Sequence, residues 1–343
     1  METKRRSVRA IPAARAGMLR IPLVGGLAVL LAVGVDLWFA RGLELEGEPG
    51  VSLEMRRIPA DLEVPSLSKG PPGPGRRVRE VLPEYERTSA YHVLYLPTDW
   101  TPGRRYPVVV EYGGNGPYYD RYDDVSTGLV EGTNLGYGIS GGEGFLWVSL
   151  PFLNGAGTAP VRTWWGDPPE NSVEPTVAYC KLAVPWICAR YGGDPDRVIL
   201  AGFSRGSLAC NVIGLHDDEI AGLWAAFVPF SHYDGVREDW GYPGADRASA
   251  GRRLARLGGR PQCIVEIGEG GSGFLAATRR YLESTGVDAP FTFVPTGFRN
   301  HSDAWILRLS PARSRLRAWI ADVLADPPPR PSGDGEGARN RAR

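Results

Sequence analysis

A serine set between two glycines, where an apolar strand turns into a helix, constrains this chain more than any other feature. The segment reads Val-Ile-Leu-Ala-Gly-Phe-Ser-Arg-Gly-Ser-Leu-Ala over residues 198–209. A strand-to-helix turn this tight strains the serine backbone, and glycines two residues before and two after it leave room for strand and helix to close. We therefore expect the Ser204 hydroxyl to stand out at the carboxyl edge of a sheet.

The same spacing occurs a second time, around Ser140 in residues 138–142. There it follows a glycine-rich loop and precedes an apolar strand at 145–150, so the order of the elements is reversed. We interpret Ser140 as a loop residue without a catalytic role.

Strands and helices alternate along the rest of the chain. Besides the elements that flank Ser204, strands are predicted at 91–96, 106–112, 145–150, 223–228, 262–267 and 291–294, and helices at 175–191, 274–284 and 311–325. Alternation of this kind predicts an α/β protein with a mostly parallel sheet. With 343 residues, 43% of them apolar, the chain is long enough to bury one large core.

In this turn at Ser204 the chain resembles the α/β-hydrolase family, and the resemblance extends over residues 85–326. Within the family, the chain looks most similar to exported esterases and polyester depolymerase-like members. The resemblance implies a doubly wound, mostly parallel sheet with helices on both faces. It also implies a nucleophilic serine at the turn, a histidine after the last strand and an acid after a neighbouring strand.

A serine hydroxyl is a poor nucleophile until an imidazole accepts its proton, so one of the four histidines must reach Ser204. His301 follows the last predicted strand, where the family keeps its histidine, and the serine precedes it as in the family. We predict His301 as the base. His92 lies inside an early strand, His216 ends the helix after the turn, and His232 follows the strand at 223–228.

The acid that orients the histidine has two candidates. Glu269 follows the strand at 262–267, the usual place in the family, although the family more often has an aspartate slightly later in that loop. Asp234 follows the preceding strand, which some members use instead. We favour Glu269 and keep Asp234 as the alternative, and we interpret Asp303 as a local loop stabiliser.

Backbone donors for an oxyanion are expected at two places. The N–H of Arg205, directly after the serine, is one, at the amino end of the following helix. The second is expected from the glycine-rich loop after the strand at 106–112, where Gly114 and Asn115 are the candidates. This loop resembles the family's H-G-G-G-type turn with tyrosine in place of histidine, and a plain flexible turn is the alternative.

Several aromatic residues fall in predicted loops, and Trp164 and Trp165 are the candidates for substrate binding. Core packing of these rings remains an equal alternative. The sequence has no phosphate loop, no metal-ligand cluster and no dinucleotide fingerprint, so neither a cofactor nor a metal is expected. The formal net charge is zero, which gives no attraction to nucleic acid. The four cysteines are interpreted as buried thiols, with one disulfide between different elements left open.

The two ends of the chain are expected to lie outside the catalytic domain. Residues 1–40 place basic side chains before an apolar stretch that starts at Ile21, which is typical of an export signal. A cleaved signal peptide and a membrane anchor both remain open, since the stretch reaches the length of one span. Residues 41–84 are predicted to be a Pro/Gly-rich linker, residues 85–326 the hydrolase domain, and residues 327–343 a disordered tail.

We thus predict an exported serine hydrolase, secreted, periplasmic or tethered to the membrane through its N-terminal segment alone. The expected activity is that of a carboxylesterase that forms an acyl-enzyme on Ser204 with a small-molecule or polymer-linked ester. An exported serine peptidase on the same fold is the alternative. From a different class, a non-catalytic hydrolase-like binding module is the other alternative.

Overall fold

The central feature of the fold is a large sheet. The computed structural model describes residues 52–268 and 273–327. The strands in these residues are β1 (Arg77–Glu80), β2 (His92–Tyr95), β3 (Tyr106–Tyr112), β4 (Tyr118–Tyr119), β5 (Val125–Ser126), β6 (Leu146–Ser149), β7 (Gly193–Phe203), β8 (Ala226–Phe230), β9 (Gln262–Glu266) and β10 (Phe291–Pro295).

Helices connect these strands. Those in the described residues are α1 (Leu135–Ser140), α2 (Glu174–Tyr191), α3 (Arg205–Val212), α4 (Asp218–Ala221), α5 (Arg247–Leu254), α6 (Gly273–Thr285) and α7 (Pro311–Ala325). Short 3₁₀ turns occur at Met55–Arg57, Pro83–Tyr85, Val130–Gly132, Ala255–Leu257 and Asp303–Leu307.

The sheet has eight strands in the order β1-β2-β6-β3-β7-β8-β9-β10. Strand β2 pairs antiparallel with both of its neighbours, and each pair from β6 to β10 is parallel. The carboxyl ends of the parallel strands therefore meet at one edge, where ligands bind in open α/β sheets. The prediction of a mostly parallel sheet is confirmed.

Both faces of the sheet are covered by helices, and the central strands are buried along most of their length. One apolar cluster packs residues of α2, α3 and α5 against one face, and a second packs α1 and α7 against the other. The central strand β3 contributes to both, with Val110 on one face and Val109 on the other, as the alternation of side chains along a strand requires. The predicted doubly wound architecture, with helices on both faces, is thus confirmed.

The prediction of a linker over residues 41–84 was wrong for its described part. Strand β1 pairs with β2 at the edge of the sheet. Farther upstream, the N–H of Met55 donates to Asn300 Oδ1 at 2.7 Å, and Asp61 forms an ion pair with Arg313 at 2.7 Å. The proline and glycine content suggested an unstructured segment, yet tertiary partners far along the chain hold these residues against the domain.

The ends of the other strands and helices agree closely with those predicted from the sequence. Every predicted strand and helix in the described residues is present, with ends that shift by three residues at most. The short elements α1, α4, α5, β4 and β5 were not predicted, because they carry too few residues for a periodic pattern. All four cysteines are buried.

The predicted export segment at residues 1–40 and residues 328–343 of the predicted tail lie outside the described residues. No helix within residues 52–268 and 273–327 combines the length and the apolar composition needed to cross a membrane. The predictions for residues 1–40 and 328–343 stay predictions.

Candidate active site

The turn at Ser204 has the geometry that its glycines suggested. Ser204 has φ 56° and ψ −111°, a conformation that non-glycine residues rarely adopt. A Cβ on Gly202 would lie 2.0 Å from the carbonyl oxygen of Gly206, and a Cβ on Gly206 would lie 1.9 Å from that of Tyr112. No side chain fits at either position, so both glycines are required by close packing between the turn, α3 and β3.

Neighbouring strands hold this turn at the carboxyl edge of the sheet. The N–H of Ser204 donates to the carbonyl of Phe230 at the end of β8, at 3.0 Å. Helix α3 begins at the next residue, Arg205. Ser204 is buried, with 9% of its surface exposed.

His301 comes to this hydroxyl from the loop after β10. Its Nε2 lies 3.1 Å from Ser204 Oγ, within hydrogen-bond distance. Asp124 fixes the loop, since its carboxylate accepts the backbone N–H of His301 at 2.7 Å and the amide of Asn300 at 2.8 Å. Burial lowers the pKa of His301 to about 4, so the ring is neutral at pH 7.

The other ring nitrogen of His301 contacts a serine. Nδ1 lies 3.0 Å from the hydroxyl of Ser231, the first residue after β8. Ser231 is buried and has φ 88°, another backbone conformation that is rare outside glycine. In the described residues, the polar partner of Nδ1 is therefore a hydroxyl.

The two predicted acids have different outcomes. Glu269 lies outside the described residues, and its role stays a prediction. Asp234 is not at the histidine, because its carboxylate binds the guanidinium of Arg253 at 2.8 and 2.9 Å and the hydroxyl of Tyr242 at 3.1 Å. The alternative prediction for Asp234 was therefore wrong: the chain turns after β8 so that this carboxylate meets α5.

Asp303, which we interpreted as structural, lies in a buried acidic pair. Its carboxylate accepts the side-chain amide of Asn134 at 2.7 Å, and Glu111 accepts the N–H of Leu135 at 2.9 Å. Both carboxylates thus bind residues at the amino end of α1, which favours negative charge. Burial raises the pKa of Asp303 to about 6, and burial together with repulsion from Asp303 raises the pKa of Glu111 to about 7.

The predicted oxyanion donors lie on segments that are bonded to one another. Arg205 occupies the first position of α3, where a backbone N–H has no intrahelical acceptor. The carbonyl of Gly114 accepts the Arg205 guanidinium at 3.0 Å, and Asn115 Oδ1 accepts the N–H of Trp164 at 2.8 Å. The Asn115 side chain is thus engaged with the loop, and the backbone donors of all three predicted residues stay predictions.

The Arg205 side chain is structural rather than open to substrate. It is 1% exposed, and its guanidinium donates to the carbonyls of Gly114, Gly128 and Trp164 while it lies over the ring of Phe152. Burial lowers its pKa well below the ordinary value. This one side chain joins three loops beside the nucleophile.

The two predicted substrate-binding tryptophans differ. Trp165 is 1% exposed and packs on Phe152 and Tyr242 in the core, so the prediction of substrate contact was wrong for this residue. Trp164 is partly exposed and packs edge-on against Trp240 at 5.7 Å between ring centroids. Its predicted contact with substrate stays open.

Aromatic rings continue from Trp240 to the candidate base. The ring centroids of Trp240 and His232 are 5.0 Å apart, and those of His232 and His301 are 5.4 Å apart. On another side, the ring of Tyr118 in β4 lies edge-on to His301 at 5.8 Å. The candidate base thus has aromatic neighbours on two loops.

A cavity of about 640 Å³ borders the hairpin of β4 and β5. Its walls include Tyr118, Tyr119 and Val125, all with large exposed apolar surfaces. Tyr118 is shared by the cavity and by the contact with His301. Exposed apolar side chains gathered at one place are typical of a binding surface.

Two residues of the site, Ser231 and Asp124, were not identified from the sequence. Ser231 is the first residue after a strand that ends at the correct edge, but its residue type gave no signal. Asp124 lies on a short hairpin whose approach to His301 depends on tertiary contacts alone. Tyr118, on the same hairpin, is one of the aromatic residues that the sequence analysis placed in loops as a possible wall for the substrate.

Comparisons with known proteins bear on the fold alone. No protein-family model and no curated protein matches the chain. Among solved structures, it is similar to esterase 2 of Thermogutta terrifontis phosphoramylated by tabun, with 17% identity, a TM-score of 0.49, and coverage of 76% of this chain and 97% of that one. Dipeptidyl peptidase 4 of Porphyromonas gingivalis has 16% identity and a TM-score of 0.45, over 70% of this chain and 34% of that one.

A thermostable esterase is also similar, with 14% identity and a TM-score of 0.40 over 68% of this chain. The present chain spans 58% of the length of that esterase. The fold assignment follows from the sheet itself: eight strands with the second antiparallel, and a serine turn after the fifth strand of the sheet in chain order. The chain has the α/β-hydrolase fold.

Proposed function

We propose that this protein is a serine hydrolase in which Ser204 is the nucleophile and His301 the general base. The observation that carries the proposal is the 3.1 Å separation of Ser204 Oγ and His301 Nε2 on a strained turn. Because burial lowers the pKa of His301 to about 4, the imidazole is neutral near pH 7 and available to accept a proton.

The proposed reaction is acyl transfer in two steps. His301 Nε2 takes the hydroxyl proton as Ser204 Oγ attacks the ester carbonyl, and the N–H groups of Arg205 and Gly114 face the resulting oxyanion. The tetrahedral intermediate expels the alcohol, which receives the proton from His301. Water then gives a proton to His301 and attacks the carbonyl of the acyl-enzyme. The second tetrahedral intermediate releases the acid as His301 returns this proton to Ser204 Oγ.

Among the activities of serine hydrolases, we propose carboxylesterase activity for this protein. The support is the cavity beside Tyr118, where Tyr119 and Val125 give apolar surface that suits an acyl or alcohol group of a small or polymer-linked ester. The charged residues of its lining are Arg79, Glu131 and Arg162. Since Tyr118 also contacts the ring of His301, an ester held there would lie beside the proposed base.

The test is a panel of p-nitrophenyl esters and aminoacyl p-nitroanilides with the wild type and the Ser204→Ala variant. We expect the wild type to hydrolyse the esters and the variant to be inactive. Faster cleavage of the anilides would favour a peptidase. Failure on both substrate classes would favour a non-catalytic binding module.

We also propose that the domain acts outside the cytoplasm. The support is the order of basic and then apolar residues in 1–40. A reporter that is active only after export, fused after residue 60, would be active in cells, and a fusion without the first 40 residues is the control. A silent but well-expressed full-length fusion would contradict export.

A further inference from the structure

We propose that Ser231 is a positioning residue for His301, and that its hydroxyl accepts the Nδ1 proton of the ring. A carboxylate usually performs this task in a serine hydrolase. The proposal rests on the proposed function, because it assigns the group that prepares His301 to act on Ser204.

The two contacts of the imidazole fix its protonation. Nε2 lies 3.1 Å from Ser204 Oγ and Nδ1 lies 3.0 Å from Ser231 Oγ. A neutral imidazole has one donor nitrogen and one acceptor nitrogen. If Ser204 is to give its proton to Nε2, Nδ1 must carry the hydrogen, and Ser231 Oγ is then its acceptor.

The backbone holds this hydroxyl in place. Ser231 follows β8 directly, and its N–H donates to the carbonyl of Val265 in β9 at 3.0 Å. Its φ of 88° is costly for a residue with a side chain, and such a conformation persists where the surroundings enforce it. The hydroxyl is therefore set by two adjacent strands rather than by a flexible loop.

The charged groups that face His301 have other partners or lie farther away. Asp124 binds the backbone N–H of His301 and the amide of Asn300. Asp120, on the hairpin loop, raises the pKa of His301. Burial and then repulsion from His301 lower the pKa of His232. In residues 52–268 and 273–327, Ser231 is the side chain bonded to Nδ1.

A hydroxyl and a carboxylate differ in what they do for the ring. Both fix the tautomer, but only a carboxylate adds a negative charge that stabilises the imidazolium. A hydroxyl thus leaves the pKa of the ring low, in agreement with its direction of shift. Introducing a carboxylate at position 231 is therefore expected to raise the pKa of His301.

Four variants test the kinetic side. Ser231→Ala should lower kcat by about 10- to 100-fold with little change in KM, since the tautomer is no longer fixed. Ser231→Gly, which also removes the backbone strain, should lose a similar factor. Ser231→Asp should recover activity relative to Ser231→Ala and move the acidic limb of kcat/KM upward by about one pH unit or more. Ser149→Ala, which removes a buried hydroxyl bonded to Thr133, is the matched control and should keep wild-type kcat.

Nitrogen-15 NMR of labelled histidine tests the same proposal without substrate. The wild type should show His301 with its hydrogen on Nδ1, and Ser231→Ala should show a mixture of tautomers. A wild-type His301 with the hydrogen on Nε2 would overturn the proposal even if the variants failed to fold. So would an unchanged kcat and tautomer in Ser231→Ala, or a tautomer that responds to Glu269→Gln and not to Ser231→Ala. Absence of hydrolysis by the wild type would contradict the proposed function and leave the NMR result decisive for Ser231.

Discussion

The two ring nitrogens of His301 face regions that the sequence determines in different ways. On the Nε2 side, Ser204 sits in a five-residue turn where Gly202 and Gly206 have no room for a Cβ. On the Nδ1 side, Ser231 comes from a position 70 residues away along the chain, and Asp124 from one 177 residues away. The nucleophile is thus specified by local sterics, whereas the orientation of the base is specified by tertiary contacts.

The largest expected effect on kcat is at His301, whose two ring nitrogens contact both regions. His301→Gln should lower kcat by about 10⁴-fold, since Ser204 loses the group that accepts its proton. The measurement is kcat at saturating ester with the folded fraction checked by circular dichroism. His216→Gln, at a half-buried histidine in the turn after α3, is the control and should retain wild-type kcat. Comparable losses in the two variants would contradict the assignment.

The next prediction tests whether Asp234 belongs to the Nδ1 side. Asp234→Asn should destabilise the protein by about 3–5 kcal/mol, because the part-buried Arg253 guanidinium loses its counter-charge. The kcat per folded molecule should change little. Urea unfolding and active-site titration measure the two quantities separately. A loss of kcat by several orders of magnitude at unchanged stability would show that Asp234 acts on His301.

The pH dependence of the reaction tests the electrostatics of the Nδ1 side. Burial lowers the pKa of His301 to about 4, and the base must be neutral to act. Activity should therefore persist as the pH falls below 6 and be lost as it passes through about 4. The measurement is kcat/KM against pH, with enzyme held at each pH and then assayed at pH 7 to exclude unfolding. An acidic limb near 6.5 or above would indicate a carboxylate at the ring.

The smallest expected effect concerns Tyr118, which joins the cavity to His301. Tyr118→Ala should raise KM for apolar esters by about 2- to 10-fold with a smaller change in kcat, as expected for the loss of one aromatic contact. Leu182→Ala, at an exposed apolar residue of α2 that does not line the cavity, is the control and should leave KM unchanged. An equal rise of KM in both variants would contradict a role for Tyr118 in binding the ester.

Sequence reasoning succeeded where constraints are local. The glycines around Ser204, the alternation of strands and helices, and the order of serine and histidine each follow from sterics or connectivity that a short segment expresses. Residues 52–62 were missed because their partners, such as Asn300 and Arg313, lie more than 200 positions away. Strand β1 was missed although its partner β2 is near in sequence, because the prolines and glycines before it suggested an unstructured segment. The direction of Asp234 was missed because only the packing of α5 brings Arg253 to it.

The most direct test of the central claim is covalent labelling with a fluorophosphonate followed by tryptic mass spectrometry. Cleavage after Arg197 and Arg205 isolates residues 198–205, in which Ser204 is the sole serine. We predict one phosphonyl group on this peptide in the wild type and in Ser140→Ala, and none in Ser204→Ala. A label on any other peptide, or a label that persists in Ser204→Ala, would contradict the account.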